Sequence, residues 1–542
     1  MQNNFAYDFP LLLCICAFFL SQGNKVVDNL FEYSKNIEIF TALYKELGTN
    51  YVDEIEPGKL MKTGIDAMLK SLDPYTNFFT EYQAEEALIE KQGQYGGVGC
   101  RIMLRNHYPV VNFIEEGYAF NIADVRLGDI ITSINGISLQ DKSTDQLLSL
   151  VRGAPNTSFS IEIDREGKSI KKQITRMAIK TASVSFSGMY QGDIAYVKLE
   201  EFGQHAADEI ETSLKKMMEK TELKGVILDL RDNGGGLLNE AVQIVGLFVG
   251  ENRSIVTLRG QNVTGPKNWI TPNKPLLPNT PLVVLVNEHS ASASEVVSGS
   301  LQDMDRAVIM GQTSFGKGLV QNYASLPYRT QMKLTVAKYY TPSGRCIQRL
   351  QYGDRDENGV AKTMSTAQKK AFKTQGGRTV YEGGGIDPDV ALKPYQGLEI
   401  LKWLEQENII FDWANQQYNS LPDTLFQAIS DLQYTQFSQY AVKKSQAKLQ
   451  EKLHKSMASM YSDTQFLQQI SGLKINSDQV NTKVKADLIK QKSSIILALN
   501  RAMMERKLKK NRFHPAWLLL DLESKEAAKL LHEPTRYQSL LK

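Results

Sequence analysis

The chain has 542 residues, of which 42% are hydrophobic and 23% are charged, and its formal net charge is +3. A chain of this length is too long for one hydrophobic core, so several domains are expected, and the composition is ordinary for a soluble globular protein. The small net charge gives no support for nucleic acid or an anionic membrane surface as the main partner.

The first predicted element is an apolar segment at residues 11–20 (LLLCICAFFL). It is too short to span a bilayer and is typical of the hydrophobic region of a secretory signal, with small residues at 21–23 for cleavage. No Lys or Arg precedes it, which argues against export. A buried N-terminal helix and a lipoprotein signal through Cys14 or Cys16 are the alternatives. Residues 1–23 are predicted to be a signal peptide, mainly because of the family resemblance described below.

Residues 24–92 are predicted to be helical. Apolar residues recur at alternating steps of three and four from Leu30 to Leu47, and a second helix at 57–72 stops before Asp73 and Pro74. A pair of packed helices is the expected structure of this region.

Residues 93–178 are predicted to form a small β-rich domain. A glycine-containing loop (GQYGGVG, 93–99) precedes a strand at 100–104, and a short amphipathic helix at 144–152 precedes another strand at 158–164. This pattern resembles a PDZ domain, which pairs a peptide as an extra strand and holds its terminal carboxylate with backbone N–H groups. The residues expected to bind the peptide belong to the loop and to the groove beside it: Tyr95, Gly96, Gly97, Val98, Gly99, Ile102, Leu147 and Val151.

Residues 179–395 are predicted to form an α/β core. A hydrophilic insert at 351–377 is expected to be a flexible surface loop, and residues 396–542 are predicted to be a polar, helical C-terminal extension. Strands and helices alternate in the core, which favours a largely buried sheet with helices on its faces: strand 193–199, helix 206–220, strand 225–230, helix 237–249 and strand 282–286.

The chemistry is concentrated after the strand at 282–286, where the sequence continues as Ser290-Ala291-Ser292-Ala293-Ser294-Glu295 into a predicted helix. A serine at such a strand-to-helix corner lies at the positive end of the helix dipole, which favours alkoxide character and a developing oxyanion. A serine-rich helix cap without chemistry is the alternative interpretation.

A serine nucleophile needs a base, and none of the six histidines lies in a recognisable triad motif. Lys317 is the better candidate, because glycines flank it and apolar neighbours would desolvate its ammonium group and lower its pKa. The spacing from Gly311 to Gly316 and Lys317 also nearly matches a phosphate-binding loop. That loop, however, needs Ser or Thr where this chain has Gly318.

These motifs resemble those of the carboxyl-terminal processing peptidases, also called tail-specific proteases. The resemblance covers roughly residues 24–395 and rests on several separate segments: Ser-Ala-Ser-Ala-Ser-Glu at 290–295, Phe-Gly-Lys-Gly at 315–318 followed by Gln321, the strand and glycine turn VILDLRDNGGG at 226–236, YTPSGR at 340–345 and GIDPD at 385–389. It implies that Ser292 is the nucleophile, that Lys317 is the general base and that Gln321 orients the lysine.

An oxyanion hole is the remaining part of such a site. The glycine turn after the strand at 226–230 can present backbone N–H groups, so Gly234 and Gly235 are expected to supply one half of the hole. The N–H group of Ala293 would supply the other half.

The predicted protein is an α/β protease core with an inserted β-rich PDZ-like domain and helical N- and C-terminal regions. Its predicted function is that of a serine endopeptidase with a Ser-Lys dyad that cleaves exported proteins near their C-termini, in the periplasm or cell envelope. No cofactor and no metal are expected, because no histidine or cysteine cluster has metal-ligand spacing. The expected partners are protein substrates with free, unstructured C-terminal tails, and no nucleic acid.

The resemblance also suggests a homodimer formed through the N- or C-terminal helices. Two other functions stay open at this point. One is a catalytically inactive PDZ scaffold or pseudoprotease, which would not need the lysine, and the other is a nucleotide-dependent enzyme, which would need a hydroxyl at position 318.

Overall fold

The computed structural model describes residues 9–81, 83–84, 96–179, 182–261, 267–357, 359–365, 368–392, 399–420, 426–460, 477–508 and 510–542. The chain divides into two compact units, one up to residue 78 and one from residue 79 onwards. The first unit is helical, as predicted, and the short strand β1 lies at the division: α1 (Phe9–Asn50), α2 (Pro57–Lys70) and β1 (Asn77–Phe79). Proline suits the first position of α2, because that N–H would have no intrahelical partner. Within the described part of the chain, no helix has both the length and the apolar character that crossing a membrane requires.

The β-rich domain follows in the second unit. Its main sheet has the order β3–β4–β5–β7–β8, with β6 paired to β5, and β2 pairs with β9. Alternate residues of β7 are buried because successive side chains of a strand face opposite sides. The elements are β2 (Gly96–Gly97), β3 (Cys100–Arg105), β4 (Tyr108–Ile114), α3 (Ala119–Ile122), β5 (Ile130–Ile134), β6 (Ile137–Ser138), α4 (Thr144–Val151), β7 (Ser158–Arg165), β8 (Lys168–Thr175) and β9 (Met177–Ala178).

The α/β core is built on a six-stranded sheet with the order β10–β11–β12–β15–β16–β23. The first pair is antiparallel and all the other pairs are parallel. Three helices cover one face of this sheet. The elements are β10 (Val184–Tyr190), β11 (Ile194–Leu199), α5 (Ala206–Met218), β12 (Gly225–Asp229), α6 (Leu238–Gly246), β15 (Leu282–Val286), α7 (Ala293–Asp303), β16 (Val308–Gly311) and β23 (Val390–Ala391).

A second sheet and two hairpins flank this core. The second sheet pairs β13 with β14 and β18, and β18 with β17. The prediction of a loop at 351–377 is wrong, because described residues of that segment form two hairpins. Their strands are polar and partly exposed, so they lack the hydrophobic alternation that marks a strand in the sequence. The elements are β13 (Ser254–Arg259), β14 (Asn268–Ile270), β17 (Leu319–Ser325), β18 (Gln331–Tyr340), β19 (Leu350–Arg355), β20 (Ala361–Thr363), β21 (Ala371–Lys373) and β22 (Thr379–Tyr381).

The C-terminal region is helical, as predicted. Helices α8 to α12 share a hydrophobic core of their own, whereas α14 and α15 pack on the second face of the six-stranded sheet. The helices are α8 (Glu399–Gln406), α9 (Ile409–Ser420), α10 (Asp431–Met460), α11 (Ser477–Lys490), α12 (Lys492–Lys507), α13 (Lys510–Leu518), α14 (Leu522–Leu531) and α15 (Pro534–Leu540).

Strand β12 shows how the two faces of the sheet are divided. Val226 and Leu228 face α5, α6 and α7, while Ile227 between them packs with α14 and α15. The Tyr537 hydroxyl of α15 donates to the Leu282 carbonyl at 3.0 Å and accepts from its N–H at 2.8 Å. The core is therefore a three-layer α/β structure, which confirms the predicted fold class. The domain limits at 23, 92, 178 and 395 stay predictions.

Candidate active site

Ser292 stands at the corner between β15 and α7, at the carboxyl edge of the parallel strands. Its backbone has φ 56° and ψ −112°, a conformation that is unfavourable for a residue with a side chain and that persists only where the surroundings enforce it. Its side chain is half-buried. Helix α7 begins at the next residue, so the serine lies at the positive end of the helix dipole.

The two neighbouring serines of the motif have structural hydrogen bonds. Ser290 Oγ donates to the Leu230 carbonyl at 2.8 Å, and Ser294 Oγ donates to the Asn233 carbonyl at 2.8 Å. Both side chains are completely buried. Of the three hydroxyls, only that of Ser292 is both partly exposed and located at the corner itself.

Glu295 is a completely buried residue that the sequence analysis did not assign to the site. Its Oε2 accepts hydrogen bonds from the N–H groups of Ser292 at 2.8 Å and of Lys317 at 2.9 Å. Its Oε1 accepts from Ser314 Oγ at 2.6 Å and from the Gly316 N–H at 2.7 Å. Burial raises the pKa of Glu295 above its ordinary value, and these four hydrogen bonds oppose the rise. One carboxylate thus joins the Ser292 corner to the loop that carries Lys317.

Tyr339 of β18 provides a second connection between the same two residues. Its hydroxyl donates to the Lys317 carbonyl at 2.6 Å and also lies 3.1 Å from the Ser292 carbonyl oxygen. The side chain is buried. The backbone N–H and the carbonyl of both Ser292 and Lys317 are therefore fixed by the same two side chains.

Lys317 is half-buried and lies on the loop between β16 and β17. Gly316 before it has φ 89°, and a Cβ there would come within 2.6 Å of the Arg349 Cβ, so the loop needs glycine at this position. Gln321 follows on β17, just after a bulge, and its Nε2 donates to Thr335 Oγ1 of the neighbouring strand at 3.3 Å. The structure therefore brings the backbones of Ser292 and Lys317 together and places Gln321 on the strand that leaves this loop.

The glycine turn after β12 packs closely against the Ser292 corner. Gly235 has φ 107°, and a Cβ at this position would lie 2.8 Å from the Ala291 carbonyl oxygen and 2.9 Å from the Ser292 Cβ. Asn233 fixes the turn, because its carbonyl accepts from the Ala291 N–H at 3.0 Å and its Oδ1 accepts from the Gly235 N–H at 2.8 Å. Of the residues expected to form the oxyanion hole, Gly235 thus has its N–H directed at Asn233, Gly234 precedes it in the same turn, and Ala293 follows the serine as the first residue of α7.

The predicted peptide-binding residues fall into two groups in the structure. Tyr95 lies outside the described residues. Gly96 donates its N–H to the Gly153 carbonyl at 2.7 Å, and Gly97 pairs with Met177. Gly99 has φ 69° and packs closely on Tyr118, so a Cβ could not be accommodated there.

The side chains expected in the groove are mostly part of the domain core. Val98 and Leu147 are 3% and 1% exposed in that core, and Ile102 and Val151 pack against it half-buried. Strand β3, which carries Ile102, pairs with β4 alone among the described strands, so its other edge is open to an added strand. The end of β3 is held by the C-terminal region, because Arg105 Nη2 donates to Asp412 Oδ2 of α9 at 2.6 Å.

Comparison with known proteins places this geometry in a family. A model described as peptidase family S41 matches residues 193–353, a PDZ domain model matches residues 110–165, and a model of the C-terminal helical domain of a probable PDZ-protease matches residues 400–531. The first match contains Ser292, Lys317 and Gln321.

Individual relatives agree with this assignment. A carboxy-terminal-processing protease of Bartonella bacilliformis is 34% identical over 320 residues, which is 58% of this chain and 73% of that protein. A probable CtpA-like serine protease of Staphylococcus aureus is 31% identical over 313 residues, which is 58% of this chain and 62% of that protein, less than two thirds of its length. The solved structure of a photosystem II D1 C-terminal processing protease is 24% identical, with a TM-score of 0.36, and the match covers 66% of this chain and 92% of that one.

The Bartonella relative combines substantial identity with coverage of most of its own length. The chain therefore belongs to peptidase family S41, the family of the carboxy-terminal-processing proteases, and is a serine peptidase.

Proposed function

We propose that the protein is an endopeptidase that cleaves exported proteins near their C-termini, with Ser292 as the nucleophile and Lys317 as the general base. The observation that carries the proposal is the shared anchoring of these two residues by Glu295 and Tyr339. Nucleophile and base must be held within reach of each other for the proton transfer to be efficient. Glu295 and Tyr339 are buried and bond to the backbones of both residues, so they hold the two residues close to each other.

The proposed reaction is an acyl transfer. The neutral Lys317 amine takes the proton of Ser292 Oγ as that oxygen attacks the scissile carbonyl carbon. The negative charge that develops on the carbonyl oxygen is stabilised by the N–H groups of Ala293 and Gly234 and by the dipole of α7. The protonated lysine then gives its proton to the leaving amine, and water releases the acyl group from the serine by the reverse sequence of proton transfers. Gln321 keeps the lysine oriented in this proposal.

We further propose that the PDZ domain recognises the C-terminal tail of the substrate. The support is the open edge of β3, where an extended peptide can add a strand. The Gly96 N–H is bonded to Gly153, so a carboxylate can use that N–H only after this hydrogen bond breaks. Because Val98 and Leu147 are buried in the domain core, the contacts of a bound side chain fall mainly to Ile102 and Val151.

The dyad is tested by incubating the purified protein with an unfolded protein and analysing the products by mass spectrometry. Wild type is expected to cleave, Ser292→Ala is expected to be inactive, and Ser325→Ala, which changes an exposed serine outside the motif, is expected to cleave like wild type. Cleavage by Ser292→Ala would show that Ser292 is not the nucleophile. A wild type that binds peptides but never cleaves them would instead favour the PDZ scaffold.

Tail recognition is tested with one peptide in free-acid and amidated forms. Amidation replaces the charged carboxylate acceptor with a neutral group whose own N–H donors face the backbone N–H donors of the domain. This should weaken peptide binding by about 1.5–3 kcal/mol. We expect roughly tenfold to a hundredfold slower cleavage of the amide at subsaturating concentration, and no such penalty in a variant lacking residues 94–178. Equal rates for both peptides with the wild-type enzyme would contradict recognition of the carboxylate.

Export and dimerisation complete the proposal. The apolar segment at 11–20 supports export through a signal peptide of residues 1–23, and intact-mass analysis of protein from cell fractions tests where the mature chain begins. Leu30, Phe31 and Ile37 of α1 are each more than half exposed, which supports a homodimer through this helix. Sedimentation of wild type and of Phe31→Glu tests it, since a charge at the interface would favour the monomer.

A further inference from the structure

Arg231 lies between β12 and the glycine turn, and its guanidinium is held by carboxylates from two distant parts of the chain. Nε and Nη2 donate to the two oxygens of Asp229 at 3.0 and 2.6 Å. Nη1 and Nη2 donate to the two oxygens of Asp521 at 3.1 and 2.6 Å. The side chain is only 13% exposed. All three guanidinium nitrogens are thus engaged, two residues before Asn233 begins the turn that packs on Ser292.

The carboxylates from the distant segment lie at the start of helix α14. Asp521 is its N-cap and accepts from the Glu523 N–H at 3.2 Å and from Ser524 Oγ at 2.6 Å. Each carboxylate oxygen of Glu523 accepts a hydrogen bond from a different side chain. Its Oε2 accepts from Arg231 Nη1 at 2.6 Å, and its Oε1 accepts from Gln312 Nε2 at 2.6 Å.

Gln312 is the first residue of the loop that leads from β16 to Lys317. Its own N–H donates to the Val286 carbonyl at the end of β15, at 3.0 Å. In the sheet, β15 lies between β12 and β16. Glu523 therefore connects the ends of β12 and β16 across β15, the strand that leads to Ser292. Its two partners, Arg231 and Gln312, precede the glycine turn and begin the lysine loop, respectively.

We propose that Asp521 and Glu523 are positioning residues for proteolysis. Through Arg231 they set the position of the glycine turn, and through Gln312 they set the position of the Lys317 loop. The C-terminal helical region thereby contributes directly to the geometry of the reacting groups. This inference rests on the proposed roles of the glycine turn and Lys317, because positioning has a kinetic consequence only if those groups take part in the reaction.

The physical reason is that neither loop is fixed by its own sequence alone. A buried guanidinium needs its full set of acceptors, and removal of one carboxylate leaves a charge in a poorly solvated site, which the chain relieves by moving. Displacements of about 1 Å in a catalytic group can lower a rate by up to about a hundredfold. The effect should fall on kcat more than on KM, because the PDZ domain and the substrate tail are untouched.

The test compares Glu523→Gln with Glu526→Gln in the full-length protein. Both variants make the same chemical change on α14, but Glu526 is exposed. Gln312→Leu is added as a second variant, because it removes the link between Glu523 and the lysine loop, together with a longer hydrogen bond to the Leu392 carbonyl at 3.3 Å, and leaves the Arg231 ion pairs in place. Thermal unfolding checks that each variant is folded.

Two readouts are needed. Hydrogen exchange of the segments 232–236 and 312–318 should be faster in Glu523→Gln, and that of 312–318 faster in Gln312→Leu, than in Glu526→Gln. The kcat of peptide cleavage should fall by roughly tenfold to a hundredfold in Glu523→Gln with KM little changed, and the pH profile should shift in Gln312→Leu.

Unchanged exchange and unchanged kcat in folded Glu523→Gln and Gln312→Leu would overturn the inference. Failure of the proposed function would look different, because an active Ser292→Ala would disprove the nucleophile whatever the C-terminal variants do. Faster hydrogen exchange in Glu523→Gln with a kcat equal to that of Glu526→Gln would also overturn the inference. The bonds of Glu523 to Arg231 and Gln312 would then stabilise the fold without affecting the reaction.

Discussion

The hydroxyl of Tyr339 donates to the carbonyl oxygen of Lys317 at 2.6 Å. Because the same hydroxyl lies against the Ser292 carbonyl, Tyr339→Phe removes an anchor of both residues while keeping the packed ring. We expect stability to fall by about 1–3 kcal/mol, the cost of an unsatisfied buried carbonyl, and kcat to fall by roughly tenfold. Urea unfolding and peptide kinetics measure the two effects.

The neighbouring Tyr340 provides the control for that substitution. The guanidinium carbon of Arg259 lies over the Tyr340 ring, 4.2 Å from the ring centroid. Tyr340→Phe preserves this contact. A Tyr339→Phe enzyme as active as Tyr340→Phe would show that the shared anchor is unimportant for the reaction.

Ser292, the proposed nucleophile, has an unfavourable backbone conformation, so its substitutions should separate activity from stability. Ser292→Ala and Ser292→Gly are both expected to be inactive. Glycine accepts a positive φ without strain, so Ser292→Gly should be more stable than Ser292→Ala by about 1 kcal/mol. Denaturant midpoints of the two variants measure the difference, and an alanine variant that is equally stable would show that the corner is not strained.

The pH dependence of cleavage tests whether Lys317 is the proposed base. A lysine accepts a proton only when it is neutral, so kcat/KM should rise with pH through one ionisation of the free enzyme. Rates are measured with a substrate that has no ionising group in the same range. A bell-shaped profile with a rising limb near neutral pH in the Lys317→Ala variant as well as in wild type would point to a different base.

Acid should destabilise the protein partly through Asp521. Burial opposes ionisation of this side chain, but the ion pair with Arg231 and the hydrogen bonds from Arg231 and Ser524 hold its pKa below the ordinary value of 3.8. A carboxyl group with a lowered pKa stabilises the folded state above its ordinary pKa, and this contribution is lost as the pH falls below 3.8 towards the folded value. Asp521→Asn should therefore be less stable at neutral pH and lose less stability between about pH 5 and pH 2.

The measurement is the free energy of unfolding in urea at several pH values across that window. Asp208→Asn, which changes an exposed aspartate, is the matched control and should follow wild type. Parallel curves for wild type and Asp521→Asn would show that the ion pair does not contribute to acid sensitivity.

Short motifs led to the site residues assigned from the sequence, and the catalytic roles of these residues stay predictions. Ser292 and Lys317 stand in such motifs, and the βα alternation predicted the layered sheet. Glu295 was within reach, since its spacing from Ser292 is that of a capping box. Its bonds to Ser314, Gly316 and the lysine N–H were not, because the partners come from a loop beyond β16.

The remaining misses have the same origin. Arg231 and Asp521 are separated by 290 positions in the chain, and no periodicity of either segment indicates that they meet. The residues of the peptide groove were assigned from the resemblance to PDZ domains. The burial of Val98 and Leu147 depends instead on how the whole β-rich domain packs. Contacts between distant segments are set by tertiary structure, which a single sequence does not display.

The arrangement of α14 and α15 on the second face of the protease sheet has a consequence for biosynthesis. The ribosome completes the segment of Ser292 and Lys317 roughly tens of seconds before it completes these two helices. Until they arrive, Ile227, Val283 and Leu285 have no helical layer over them. The sheet that carries Ser292 therefore gains its second helical layer only after α14 and α15 have been synthesised, so its two faces are covered at different stages of translation.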